Sequence, residues 1–312
     1  MKALANHLLL IAIIHALAIA AVAQEHSDAQ QPVKITFAGR LAGKPVACGS
    51  QYEGIGSKKS TVTPQDLRFF VSNVELLDAS GRAVPVTLDQ DGIWQYKSLA
   101  LIDLEDGKGG CRNGNAGTHA ALTGSVPPGR FTGLRFTVGV PFDLNHINPL
   151  SAPSPLNMTA MFWSWQGGYK FIRAEVALAA IATNTTTPIV ENADLAHGEA
   201  PGDRARSSGF PVHIGSTGCA SASPTTEPAE ECTNANRVVV NLPAFDLVKD
   251  QVIFDIGKLL AESDVTTNTS NTAPGCMSGE NDTDCIPIMR ALGLPFRNVP
   301  AGDQTVFYRE AK

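Results

Sequence analysis

Two of the three tryptophans, Trp163 and Trp165, stand one residue apart in the run Met161-Phe162-Trp163-Ser164-Trp165-Gln166-Gly167-Gly168-Tyr169-Lys170-Phe171. In an extended strand side chains alternate between faces, so Met161, Trp163 and Trp165 are expected on one face, with Phe162, Ser164 and Gln166 on the other. Three oxidisable, electron-rich groups in a row can support redox chemistry, although aromatic residues at strand spacing more often simply pack. Histidines are the second chemical resource. His146 lies in the proline-fixed apolar stretch Val140 to Pro149, and His213 lies between strand-like residues and Cys219. Imidazole is a good ligand for copper, and Met161 offers a soft thioether for Cu(I), though methionine normally fills gaps. His26, His119 and His197 sit in polar segments, where a solvated or turn-stabilising role is the ordinary one.

The six cysteines are Cys48, Cys111, Cys219, Cys232, Cys276 and Cys285. Residues Met1 to Ala23 read as a secretory leader: Lys2, an apolar run from Leu8 to Ala20, and an Ala-Val-Ala cleavage site before Gln24. An even cysteine count in an exported chain reads as disulfides. Proximity favours Cys219–Cys232 and Cys276–Cys285, which leaves Cys48–Cys111, out of about fifteen possible connectivities. No pair has the C-x-x-C spacing of a zinc site. With every thiol paired, a blue-copper site has no cysteine to use. The chain carries 24 basic and 30 acidic residues, and loss of the leader removes one lysine and no acid, taking the charge from −6 to −7. That balance argues against nucleic acid as a partner. No later apolar run is long enough to span a membrane, so a soluble periplasmic or secreted protein is expected.

Short strand-like runs broken by Gly, Pro, Asn and Asp must position these groups. They include Val33 to Ala38, Leu67 to Leu77, Val84 to Leu88, Gly133 to Val140, Tyr169 to Leu178, Val238 to Leu242 and Thr305 to Tyr308. Turn signals such as Asp78-Ala79-Ser80-Gly81 and Pro127-Pro128-Gly129 separate them. Helical signal is confined to Asp250–Glu262 and Ile286–Leu292. The expected fold is all-β: an antiparallel β-sandwich or irregular barrel with long disulfide-tied loops and one or two short helices, forming a single domain over 24–312.

Three segments carry a resemblance: Gly-Val-Pro-Phe-Asp-Leu-Asn-His at 139–146, the tandem-tryptophan run at 161–171, and His-Ile-Gly-Ser-Thr-Gly-Cys at 213–219. Together with the Leu67–Leu77 strand they resemble the MbnP-like family of exported copper-binding proteins with a four-Cys and WxW pattern, over about Val33 to Ala261. The resemblance implies copper handling in acquisition or homeostasis. It also implies a partner di-haem cytochrome c peroxidase of the MauG type that oxidises a tryptophan to kynurenine. Carried onto this chain, the modification falls on Trp163 or Trp165, and His146 and His213 are the histidines for the metal. Indole is a poor ligand because its nitrogen lone pair belongs to the aromatic system, whereas ring opening creates an aryl amine able to coordinate.

Other readings rest on less. Trp163, Trp165 and Tyr169 could form an aromatic platform for a glycan if their rings lay exposed. Asp89-Gln90-Asp91-Gly92 lacks the remaining ligands of a calcium loop and reads as a turn. There is no G-x-S-x-G elbow, H-E-x-x-H helix or P-loop, so a binding protein rather than an enzyme is expected.

Overall fold

The computed structural model describes residues 29–111, 114–164, 166–179 and 205–312. The leader expected at Met1–Ala23, together with His26, Trp165 and His197, lies outside these residues. The fold is all-β with short helices at Phe142–Asn145, Ile256–Leu259 and Cys285–Ala291. One sheet runs Phe307–Ala311, Asp250–Asp255, Gln31–Leu41, Ala121–Val126 and Thr87–Leu88. A larger one runs Gly209–Ile214, Ile172–Leu178, Ser60–Asp78, Phe131–Val138 and Val238–Leu242, with further short strands including Leu99–Asp103.

Alternation explains how the sheets face each other. Val33, Ile35 and Phe37 of the first sheet meet Leu67, Phe69 and Val71 of the second in one core. Phe69 lies edge-on to Phe37, Phe254 and Phe307, with ring centroids 5.8, 5.2 and 5.5 Å away; each such pair contributes about 0.5–1.5 kcal/mol beyond burial. The intervening residues Asp66, Arg68 and Phe70 point to the opposite face, and they too are fully buried. A second apolar cluster covers that outer face: Phe70, Leu99, Leu101 and Phe171 from the sheet meet Val140, Leu144, Leu156, Met161 and Tyr169 from the segment across 140–169. This extra layer positions the tryptophan motif.

Two expectations change. Asp250–Glu262 is not one helix: Asp250–Asp255 is a strand and only Ile256–Leu259 is helical. Val252, Ile253 and Phe254 are a β-branched and aromatic run, and all three are buried. That strand pairs with Gln31–Leu41 in parallel, so the sheets are not wholly antiparallel. The short helix expected at Ile286–Leu292 is present at Cys285–Ala291. The disulfides join Cys219–Cys232 and Cys276–Cys285, the pairs that proximity favoured, and Cys48–Cys111, the pair left by elimination. Among the described residues no helix is long and apolar enough to cross a membrane.

Candidate metal centre

The tryptophan motif is a tight hairpin rather than a long strand. Thr159–Met161 forms a 3-10 turn, Phe162–Ser164 a short strand, and Gly168–Tyr169 the returning strand, with Phe162 opposite Tyr169. Met161 therefore does not extend a shared strand face. Its side chain is fully buried in the second apolar cluster, where it serves as core. Tyr169 is likewise fully buried and donates its hydroxyl hydrogen to the Leu156 carbonyl. An exposed platform that includes Tyr169 is excluded by that burial. Gly168 adopts φ +71°, and a Cβ there would meet the Asn145 carbonyl oxygen at 2.5 Å, so glycine lets the hairpin seat on Asn145.

Trp163 is half-buried and borders an open pocket of about 370 Å³ with Ser164, Gln166, Ser216, Cys219 and Met277. Its ring lies over Gly215: a Cβ on that glycine would meet Trp163 Cζ3 at 2.5 Å. Gly215 follows His213 by two positions at the end of strand Gly209–Ile214. Two-residue periodicity directs the space above Gly215 and the His213 side chain to the same side of the backbone. Ile214, between them, faces the inter-sheet core. The indole thus occupies the room that an absent side chain leaves at Gly215, two positions after His213.

His213 is 7% exposed and pairs through Nε2 with Glu175 Oε1 at 2.6 Å. Arg173 Nε bonds the same oxygen at 2.6 Å and Asp66 Oδ2 at 3.1 Å. Burial opposes ionisation of Glu175, but the hydrogen bonds from His213 and Arg173 outweigh it and hold the carboxyl at about 2. Burial pushes His213 below the ordinary imidazole range, against the opposing pull of Glu175. A neutral imidazole facing an ionised carboxylate must carry its proton on Nε2. The lone pair is then on Nδ1, which is buried without a hydrogen-bond partner. This is the arrangement of a metal-binding histidine oriented by a carboxylate, so the residues present fit a copper ion.

His146 meets different partners. It is 4% exposed and packs edge-on to Phe142; its Nε2 lies 3.1 Å from Asn145 Nδ2 and 3.7 Å from Cys232 Sγ. Asn145 Nδ2 also reaches Ser216 Oγ at 3.3 Å, so His146 lies near the pocket that Trp163 borders. Among the described residues, His, Cys, Asp and Glu groups with three ligand atoms within 4.8 Å of one another are His146–Cys219–Cys232 and Cys48–Glu105–Cys111. In both, the sulfurs are engaged in disulfides.

A family model for MbnP matches residues 30–278. The chain belongs to the MbnP family. A solved structure, MbnP from Methylosinus trichosporium, is 31% identical with a TM-score of 0.75, and the match covers 91% of this chain and 99% of that one. No curated protein matches the chain. The MbnP match contains all three segments that carried the resemblance and reaches Ser278, which donates to the His213 carbonyl at 3.1 Å.

Residue-type reasoning alone missed Glu175 and the charged strip around it. Arg68 is fully buried against Asp66, with Glu105 Oε1 3.9 Å away, and burial lifts Asp103 to about 7. The available signal was the alternation Asp66-x-Arg68 and Arg173-x-Glu175 inside otherwise apolar strands, which places opposite charges on one sheet face. His119, expected to be solvated or turn-stabilising, is half-buried; it stacks on Trp94 at 5.3 Å and Nδ1 bonds the Leu101 carbonyl at 2.7 Å.

Proposed function

We propose that this MbnP family member is an exported copper-binding protein of copper acquisition or homeostasis. In this reading Trp163 is oxidised to kynurenine by a di-haem MauG-type cytochrome c peroxidase, and the aryl amine and His213 Nδ1 hold copper. The observation that carries the reading is an oriented, neutral His213 whose buried Nδ1 lacks a partner, two positions before the glycine that the half-buried Trp163 ring covers. Copper supplies a soft, redox-active cation suited to imidazole and amine nitrogen. The chain's own contributions are separable. Glu175 sets the tautomer, Arg173 keeps Glu175 ionised, and Gly215 makes room for the ring. The open pocket gives Trp163 a route to solvent, and His146, linked through Asn145 to Ser216 of the pocket wall, is a further imidazole nearby.

The test is to produce the protein with and without the di-haem partner, map the peptide spanning 161–171 by mass, and titrate copper. Modification at Trp163 and copper binding that depends on it are expected. Modification at Trp165 alone would move the site to that residue. Unmodified tryptophans in a protein without copper affinity would sink the reading.

A further inference from the structure

A second site involves neither Glu175 nor His213. Asn145 Oδ1 accepts from the Tyr169 amide at 2.9 Å, which fixes the orientation of the Asn145 amide and turns its Nδ2 toward His146 Nε2. An amide NH2 can only donate, so His146 Nε2 carries the lone pair. That atom lies 3.7 Å from Cys232 Sγ, and it and both sulfurs of the Cys219–Cys232 disulfide lie within 4.8 Å of one another. Ligands on a tetrahedral zinc ion, with Zn–S of about 2.3 Å and Zn–N of about 2.0 Å, sit about 3.5–3.8 Å apart. The His146–Cys232 separation already has that length. Cys219 borders the open pocket and is 9% exposed, so the bond is approached from solvent, whereas His146 and Cys232 lie behind it at 4% each. Met277 borders the same pocket.

We propose that the Cys219–Cys232 disulfide closes a latent soft-metal site, which opens on reduction to give two thiolates and His146 Nε2 as ligands for Zn(II) or Cu(I). A dithiol reductant transfers two electrons and two protons to the bond and becomes a disulfide itself. Cys219 and Cys232 become thiols, and metal binding then displaces one proton from each. His146 contributes its lone pair without losing a proton, giving up the hydrogen bond from Asn145 Nδ2, which keeps Ser216 Oγ as an acceptor; the pocket side leaves room for a fourth ligand, water or the Met277 thioether. The comparable Cys48–Glu105–Cys111 group is less suited to a soft metal, because it offers a hard carboxylate in place of the imidazole. The proposal is independent of the copper reading, since it requires no modified tryptophan.

Full-length protein made without the di-haem partner is reduced anaerobically with dithiothreitol, desalted and titrated with Co(II), followed by Zn(II). Expected are one cobalt per chain with sulfur-to-cobalt charge-transfer absorption, displacement by zinc, and metal protection of Cys219 and Cys232 from alkylation. His146→Gln keeps every thiol and lowers affinity by roughly tenfold or more. The double variant Cys48→Ser/Cys111→Ser keeps the absorption. Three results overturn the proposal: a Cys219–Cys232 bond that resists dithiol in the folded protein, reduced thiols at 219 and 232 without the sulfur–cobalt band, or unchanged affinity in His146→Gln.

Discussion

At the scale of single residues, two histidines with similar burial differ in which nitrogen their neighbours engage. His213 turns Nε2 to a carboxylate and leaves Nδ1 without a hydrogen-bond partner; His146 accepts from Asn145 at Nε2, 3.7 Å from Cys232 Sγ. Glu175→Gln leaves the shape of this cluster but removes the charge that selects the His213 tautomer, so copper affinity of the modified protein should fall by about 10–100-fold. His213→Ala should lower it at least as far, in competition titrations against a chelator. Glu175 also has a predicted signature in stability. Its folded-state value of about 2 lies below its ordinary 4.5, so its stabilisation is present above about pH 4.5 and is lost as pH falls through about 2. The depression corresponds to roughly 3 kcal/mol. The gap in urea stability between wild type and Glu175→Gln should therefore be largest near neutral pH and close progressively below pH 4.5. Asp103 has the opposite sign: lifted to about 7, it stabilises the fold while protonated and loses that contribution as pH rises through 7.

At the scale of elements, the hairpin 162–169 and the end of strand Gly209–Ile214 fit because a glycine stands where any side chain would collide. A Cβ at 215 would lie 2.5 Å from Trp163 Cζ3 and 2.7 Å from the Tyr169 carbonyl oxygen. Gly215→Val must displace the indole or the hairpin backbone, at a cost of about 1–3 kcal/mol. Near-UV circular dichroism should show the altered tryptophan environment, and copper binding should weaken even though no ligand has been replaced. An unchanged tryptophan signal would mean that the ring does not depend on Gly215 for its position. The expected strand face of Met161, Trp163 and Trp165 was legible only as an aromatic run. Period-two reasoning could not reveal that Met161 ends a 3-10 turn, because the turn depends on the 140–169 layer packing over the larger sheet.

At the scale of the whole molecule, the family match ends at residue 278 while the core continues beyond it. Phe307 is 1% exposed and stacks on Phe254 at 4.8 Å, and its strand Phe307–Ala311 closes one edge of the smaller sheet. Phe307→Ala should destabilise the protein by about 3–5 kcal/mol, read as a lowered urea midpoint. An effect below about 1 kcal/mol, the level of an ordinary surface change, would show that the C-terminal strand is peripheral to the core.

The sequence by itself determined the all-β class and the family, and favoured the disulfide partners that the structure shows. Strand alternation and turn residues are local signals, the nearer cysteine pairs are close in the chain, and the family is carried by contiguous motifs. Only the tertiary structure decided which groups share a site. Trp163 lies 50 positions from His213, and Glu175 lies 38 from it. Glu175 meets His213 because Ile172–Leu178 pairs with Gly209–Ile214 in a register that sets Arg173 beside His213, and Trp163 reaches the end of the same strand because Gly215 leaves room for an indole from the covering layer. Register and the packing of one layer on another arise from contacts between distant segments, and no window of residues along the chain encodes them.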